Sequence, residues 1–358
     1  MKIFRLGLIF KLVSMVSFCC LIAALPRPGL AEKPPKRLFI LHSYESNHIC
    51  GQPQQDGVLK ALAEAGWVPE TNLTVQTFFM DTYKTNNTQE LIKAQGELAL
   101  EAIRQFKPDL LVTIDDNAFR TVVPALLDQP VAVVFTGLNG QPEDYSNSFR
   151  FMESRERPGH NVTGVYEKLH IKDAVRIMSH ILPDLKKVRV LTDQSPTGKA
   201  IARQVALELA GGPPLPCQVE PRVIASWEDF RKEIDEINRD KATGAYYLGT
   251  VMLKDQEGKV YTAPQMIDWD LKKCRKPAMP INYSYCRLGL FGGASVDFKA
   301  MGKQAGNMAV AIFNGTAPGE IPIADAERYA LVFNVKRAQK LGVVIPLDIL
   351  SAADLLIK

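Results

Sequence analysis

Apolar runs that do not alternate, separated by amphipathic stretches of helical period, dominate this chain and predict parallel strands covered by helices on both faces. Residues 37–41 read as a buried strand ending in the polar cluster His42, Ser43 and Tyr44. A helix over 54–65 stops at Gly66, and a second strand over 72–79 ends near Asp81 and Thr82. Asn87-Thr-Gln-Glu90 opens the next helix in capping-box fashion. The period places Leu91, Ala94, Leu98, Ala102, Ile103 and Phe106 on its inner face, and Pro108 breaks it. A strand over 109–114, a helix to 127 and a strand over 131–135 follow, and the polar stretch 137–159 reads as an irregular excursion before a crossing.

A second series starts after Asn161-Val-Thr-Gly-Val165. Ile171, Ala174, Val175, Met178, Ile181 and Leu182 share one helix face, which ends at Pro183. Strands over 187–191, 218–224, 245–248 and 278–281 alternate with helices at 197–209 and after the capping box Ser226-Trp-Glu-Asp229. The tail is too short for a third body, so the helix 298–314 is assigned back to the first and the strand 330–334 to the second. The expected fold is α/β, with two Rossmann-like doubly wound lobes joined by a multi-crossing hinge. Lobe I is expected over 36–159 plus 285–322, and lobe II over 160–284 plus 323–358.

Ligands of open parallel sheets sit off the carboxyl ends of the strands, where helix N-termini and loop amides converge. That rule selects Ser43, Tyr44, Asp115, Asp116, Asn117, Thr136 and Asn139 in the first lobe. In the second it selects Asp193, Ser195, Thr197, Thr250, Asn282 and Tyr283, with Tyr166 just past the first crossing. Plainer roles stand beside these: Asp116, Asn117, Ser195 and Thr197 suit helix caps, and Tyr44, Tyr166 and Tyr283 suit a cleft rim. Adjacent carboxylates at a strand end without a nearby basic residue suit the ammonium of a zwitterionic ligand.

The N-terminus supplies an address. Lys2, Arg5 and Lys11 precede an apolar run over 12–25, and Gly29 and Ala31 suit cleavage after residue 31, so residues 1–31 read as a secretory signal peptide. Phe18 before Cys19, and Cys19 before Cys20, argue against lipid attachment. The leader holds four basic residues and no acidic one, so its removal takes the formal charge from +4 to zero. A neutral surface offers no electrostatic footprint for nucleic acid. Cys50, Cys217, Cys274 and Cys286 remain, with Cys274–Cys286 the first pairing to expect and isolated buried thiols the equal alternative.

Catalytic and cofactor motifs fail. Residues 193–199 lack the first glycine of a phosphate loop, and Ala200 replaces its Ser or Thr. Gly292-Gly293 lacks the third glycine of a dinucleotide fingerprint. His42, His48, His160, His170 and His180 show no HExxH spacing and read as surface or cap residues, and no GxSxG elbow exists. Neither a cofactor nor a metal is expected.

Asp56-Gly57 through Gly66-Trp67, Thr113-Ile-Asp-Asp-Asn-Ala-Phe119, Val134-Phe-Thr-Gly-Leu-Asn139, Asn161-Val-Thr-Gly-Val165, Leu182-Pro183, residues 298–302 and Phe333-Asn-Val-Lys-Arg-Ala-Gln-Lys-Leu-Gly342 recur in order. Together they resemble the ABC-transporter substrate-binding family that includes tryptophan and tyrosine binders, over nearly all of the mature chain. The resemblance implies a type I periplasmic binding fold with three crossings, and delivery of a ligand to an ABC permease in the membrane. Asp115-Asp116-Asn117 departs from the small residues and Thr-Pro or Ser-Pro pair of aromatic amino-acid binders, so their ligand does not transfer.

The reading is therefore a periplasmic or extracytoplasmic, monomeric, non-enzymatic binding protein for an amino acid or related amine. Two alternatives stay open: a ligand-sensing module for a membrane receptor or sensor kinase, and a secreted hydrolase using Asp115 and Asp116. The latter is disfavoured because adjacent strand residues point to opposite faces.

Overall fold

A computed structural model describes residues 33–250 and 252–358, so the leader expected over 1–31 lies outside the described residues. The chain runs β1 (Lys36–His42), α1 (Gly51–Glu64), β2 (Leu73–Phe79), α2 (Gln89–Phe106), β3 (Leu110–Ile114), α3 (Asp116–Leu126), β4 (Ala132–Leu138), α4 (Pro142–Phe149) and β5 (Val162–Tyr166). Next come α5 (Ile171–Ile181), β6 (Lys187–Asp193), α6 (Pro196–Ala210), β7 (Gln218–Ile224), α7 (Trp227–Arg239), β8 (Thr243–Leu248) and the hairpin β9 (Met252–Lys254) and β10 (Val260–Thr262). The remainder is α8 (Ala263–Lys273), β11 (Ala278–Pro280), α9 (Ser284–Arg287), β12 (Gly292–Val296), α10 (Phe298–Phe313), β13 (Ala324–Asp325), β14 (Tyr329–Asn334), α11 (Val335–Leu341), α12 (Leu347–Ala352) and β15 (Leu355–Ile357).

Six strands form a parallel sheet in the order β13-β5-β4-β3-β1-β2. Four more form a second parallel sheet, β11-β8-β6-β7. Its β11 edge is extended by β12-β14-β15, since the Val296 N–H donates to the Ile281 carbonyl at 3.0 Å. The free edge strand β7 carries Pro221 and Arg222, residues that discourage further pairing. The chain passes between the sheets three times: after Tyr166, after Val296 and after Asp325. Pairing departs from the expected lobe limits at three places. β5 (expected with lobe II) pairs with β4, β13 pairs with β5, and β12 (expected with lobe I) pairs with β14.

Alternation along each strand divides the first sheet between two helix layers. Leu38, Ile40, Val112 and Val134 belong to the core cluster that also holds Val58 and Leu62 of α1 and Met301, Ala305 and Ala309 of α10. Phe39, Leu41, Leu111, Val133 and Phe135 belong to the cluster with Ile92, Ala99 and Ile103 of α2 and Phe119, Val122 and Val123 of α3. Helix α1 meets α10 through glycines: a Cβ on Gly57 would stand 2.3 Å from the Lys299 carbonyl oxygen, and one on Gly302 would stand 2.1 Å from that of Gln54.

Several expectations need correction. Helix α2 buries Ile92, Gly96, Ala99, Ile103 and Phe106, leaving Leu91 and Leu98 exposed. Gly96 sets that rotation by letting the helix lie against Thr121 of α3, where a Cβ would come within 2.6 Å. Part of the supposedly irregular 137–159 stretch is α4, started by Pro142 at its first position. The Cys274–Cys286 pairing does not form. Both thiols are buried and free, with Cys274 directed at the Lys276 carbonyl and Cys286 at that of Val332 on β14; Cys50 and Cys217 are free as well. His42 and His170 are buried rather than superficial. The His42 Nε2 bonds to Gln55 Oε1 at 2.7 Å, and its ring packs on Phe79.

Candidate functional site

Asp115 follows the last residue of β3 in the left-handed region, with φ of 65°, and its N–H donates to the Thr136 carbonyl at 3.0 Å. This conformation, unusual for a residue with a Cβ, turns the carboxylate into the space off the strand ends. Gln54 of α1 fixes it there: its Nε2 donates to Asp115 Oδ1 at 3.3 Å, while its Oε1 accepts from the Thr136 hydroxyl at 2.8 Å. Gly137 is required beside them, because a Cβ would stand 2.8 Å from Asp115 Oδ1. The other oxygen of Asp115, Oδ2, is buried and has no hydrogen-bond partner among the described residues.

Asp116 is differently placed. Its Oδ2 accepts from Asn139 Nδ2 at 2.7 Å, and its Oδ1 accepts from the Tyr145 hydroxyl of α4. A third carboxylate, Glu167, lies one residue beyond β5 at the first crossing and is only 4% exposed, and its backbone carbonyl accepts from Gln204 Nε2 at 2.7 Å. Burial holds the Asp115 and Glu167 carboxyls well above the usual carboxylate range; Asp116 adds to both shifts and Asp115 to that of Glu167. The Tyr44 phenol and the Cys50 thiol are also raised, first by burial and then by the same carboxylates.

Aromatic rings close this space toward solvent. The ring centroids of Tyr44, His48 and Tyr83 lie 4.5 to 5.9 Å apart. Desolvation lowers both His42 and His48 to about 4, so both are neutral near pH 7. The second sheet faces the first across these rings. The Tyr83 hydroxyl accepts from the Ala263 N–H of α8, and Arg203 of α6 pairs with Asp144 of α4 at 2.7 Å. The buried Thr250 Oγ1 and Tyr247 hydroxyl, at the end of β8, have no hydrogen-bond partner among the described residues. Among the described residues, no group of three or more His, Cys, Asp or Glu is placed to hold a metal ion.

A separate cavity of about 440 Å³ opens beside the hinge, lined by Tyr166, Lys168, His170, Lys172, Gln204 and Glu208, among others. Tyr166 and Glu167 are consecutive and diverge: Tyr166 reaches this cavity and bonds to Gln141, whereas Glu167 turns toward Asp115 and Asp116. The convergent unsatisfied polar groups lie in the inter-sheet space, which marks that space rather than the hinge cavity as the candidate site.

Residues 48–357 match the family model described as ABC transporter substrate binding protein. The chain belongs to that family. A tyrosine-binding protein of Clostridioides difficile (strain R20291) is 18% identical over 280 residues, spanning 78% of this chain and 73% of the relative. A domain from Streptococcus pneumonia solved in complex with L-Trp superposes with a TM-score of 0.66 at 19% identity, covering 90% of this chain and 100% of that one. A ligand-free, open substrate-binding protein with adhesive properties from Clostridium difficile gives 0.67 at 16% identity, covering 90% and 99%. These likenesses establish the two-lobed fold.

In this substrate-binding protein the residues selected from strand ends divide by what their polar atoms already do. Asp115 and Thr250 come with polar groups in reserve, and Tyr44 brings a ring packed on His48 and Tyr83. Ser43 is a fastener, with its Oγ donating to the Ile114 carbonyl and accepting from the Ala118 N–H, both at 2.8 Å. Asn117 bonds to Thr82, Thr136 to Gln54, and Asn139 to Asp116. Ser195 caps α6 through the Gly198 N–H and also donates to Asp193. Thr197 lies in the first turn of α6 and is half-buried. Asn282 Oδ1 accepts from the Ser284 N–H, and Tyr283 is half-buried beside Arg287. Tyr166 is the one turned away. Glu167, Gln54 and Tyr83 were missed. The strand-end rule reaches Glu167 once β5 is placed in the first sheet, whereas no sequence signal marks Gln54.

Proposed function

We propose that this substrate-binding protein captures a small amine-bearing organic molecule in the space between its lobes and presents it to an ABC permease. The single observation that supports this is the convergence of Asp115, Asp116 and Glu167 on a buried space where Asp115 Oδ2 lacks a donor. An ammonium supplies both the missing donors and the opposing charge. Lobe I on this reading comprises 36–166 plus 297–326, and lobe II 167–296 plus 327–358, with Asp115 and Asp116 on the lobe I side of the cleft and Glu167 at the first crossing between the lobes. The mature protein acts outside the cytoplasm as a monomer after removal of residues 1–31, and it performs no chemistry on its ligand. Ser43 and His42 support that last point: each is bound to a structural partner, and neither forms a nucleophile–base pair.

Thermal denaturation against a panel of amino acids and amines tests the binding reading, because a ligand specific for the folded state raises the midpoint by mass action. At least one member is expected to do so in the wild type and to lose most of the effect in Asp115→Asn. A ligand whose shift is unchanged in Asp115→Asn places the site elsewhere.

A further inference from the structure

The carboxyls of Asp115 and Asp116, adjacent at the end of β3, and of Glu167, just past β5, come from two points of the chain, and no cationic side chain contributes to the field at Asp115 or Glu167. Lys84 at the rim is turned to Glu45, at 3.7 Å, and His42 and His48 are neutral. A ligand carboxylate needs either a cation or a free helix N-terminus. Part of the N–H groups at the helix starts around the cleft is already taken by the protein's own groups. At α3, Ser43 Oγ takes the Ala118 N–H. At α6, Ser195 Oγ takes the Gly198 N–H. At α8, Gln265 Oε1 takes the Thr262 N–H and the Tyr83 hydroxyl takes that of Ala263. At α1, Gln52 donates to the His48 carbonyl and Pro53 has no N–H. The orphaned atoms are of the complementary kind: Asp115 Oδ2 accepts when its carboxyl is ionised, the form a bound ammonium favours, and the buried hydroxyls of Tyr247 and Thr250 accept as readily as they donate.

Resting on the cleft reading above, we infer that the ligand is an organic cation bearing an amine and no free carboxylate, held by Asp115 and Glu167 beside the aromatic group of Tyr44, His48 and Tyr83. The rings supply faces that attract both an organic frame and its positive charge. A free α-carboxylate brought into this space would add to the cost of ionising Asp115 and Glu167 beside Asp116, with no cationic side chain in their field to offset it.

Calorimetric titration of the mature protein with matched compounds decides the matter. Tyramine, tryptamine, putrescine and agmatine are each compared with tyrosine, tryptophan, ornithine and arginine, and the amine-free phenol tyrosol serves as a neutral control. At least one amine is expected to bind about 100-fold or more tightly than its amino acid, and to lose about tenfold or more in Glu167→Gln, whose fold is checked by circular dichroism. An amino acid binding as well as its amine, or tyrosol binding as well as tyramine, overturns the inference while leaving the cleft reading intact. Failure of every compound to bind removes both.

Discussion

Asp115 and Asp116 share one strand end yet face different electrostatic situations, and substitution should separate them. Asp116 is already satisfied by Asn139 and Tyr145, so Asp116→Asn is expected to destabilise the fold by about 1–2 kcal/mol, read from chemical denaturation. Asp115 has an oxygen in reserve. Asp115→Asn should weaken amine binding by about 1–3 kcal/mol while leaving the ligand-free protein as stable or more so, since a costly buried charge is removed. The pH dependence has a definite sign. With Asp115 and Glu167 raised, the folded protein holds more protons than the unfolded one above the ordinary carboxylate range, so their contribution to stability falls as pH rises from there to their folded values. His42 and His48, lowered from 6.5 to about 4, act oppositely and cost stability as pH falls through that interval. Melting temperature against pH should flatten on its alkaline side in Asp115→Asn/Glu167→Gln. The adjacent carboxylates were legible because polar residues directly follow an apolar run; Gln54 was not, because its role depends on where α1 meets β3 and β4.

Helices α1 and α10 are pressed together by glycines, and the seam positions the site. Gly57 and Gly302 leave no room for a Cβ against the facing backbone, so Gly302→Leu is expected to cost about 1–3 kcal/mol of stability. It should also impair binding, since it displaces the turn carrying Gln54. Gly137→Ala acts nearer the chemistry: it places a Cβ beside Asp115 Oδ1 on a left-handed backbone, with φ of +80°, and should weaken binding more than it lowers the melting temperature. Periodicity located the long helices and central strands within a few residues. It failed for α2, whose apolar residues occupy two faces, so that Gly96 and not hydrophobicity decided which turned inward. The short strands β12, β13 and β15 were missed or unassigned because strands of two to five residues carry too little pattern to register.

At the scale of the whole molecule, Arg203–Asp144 and Tyr83–Ala263 contacts link elements of the two sheets. The Arg203 side chain is 60% exposed, so this ion pair contributes little in water. Arg203→Ala should therefore change ligand affinity by no more than about fivefold, measured by calorimetry, leaving ligand charge as the main force holding the lobes together. Affinity for an amine should rise with pH above the ordinary carboxylate range as Asp115 and Glu167 ionise. The two-lobe design was legible from two series of strand–helix units, but the crossing points were not, since only pairing shows that β5 and β13 complete the first sheet. The most direct test is a crystal structure of the mature protein with the tightest-binding amine. The account predicts its nitrogen within about 3 Å of Asp115 Oδ2, in the inter-lobe space. An amine found instead in the hinge cavity beside Tyr166 and Lys168, with the Asp115 carboxylate untouched, would contradict it.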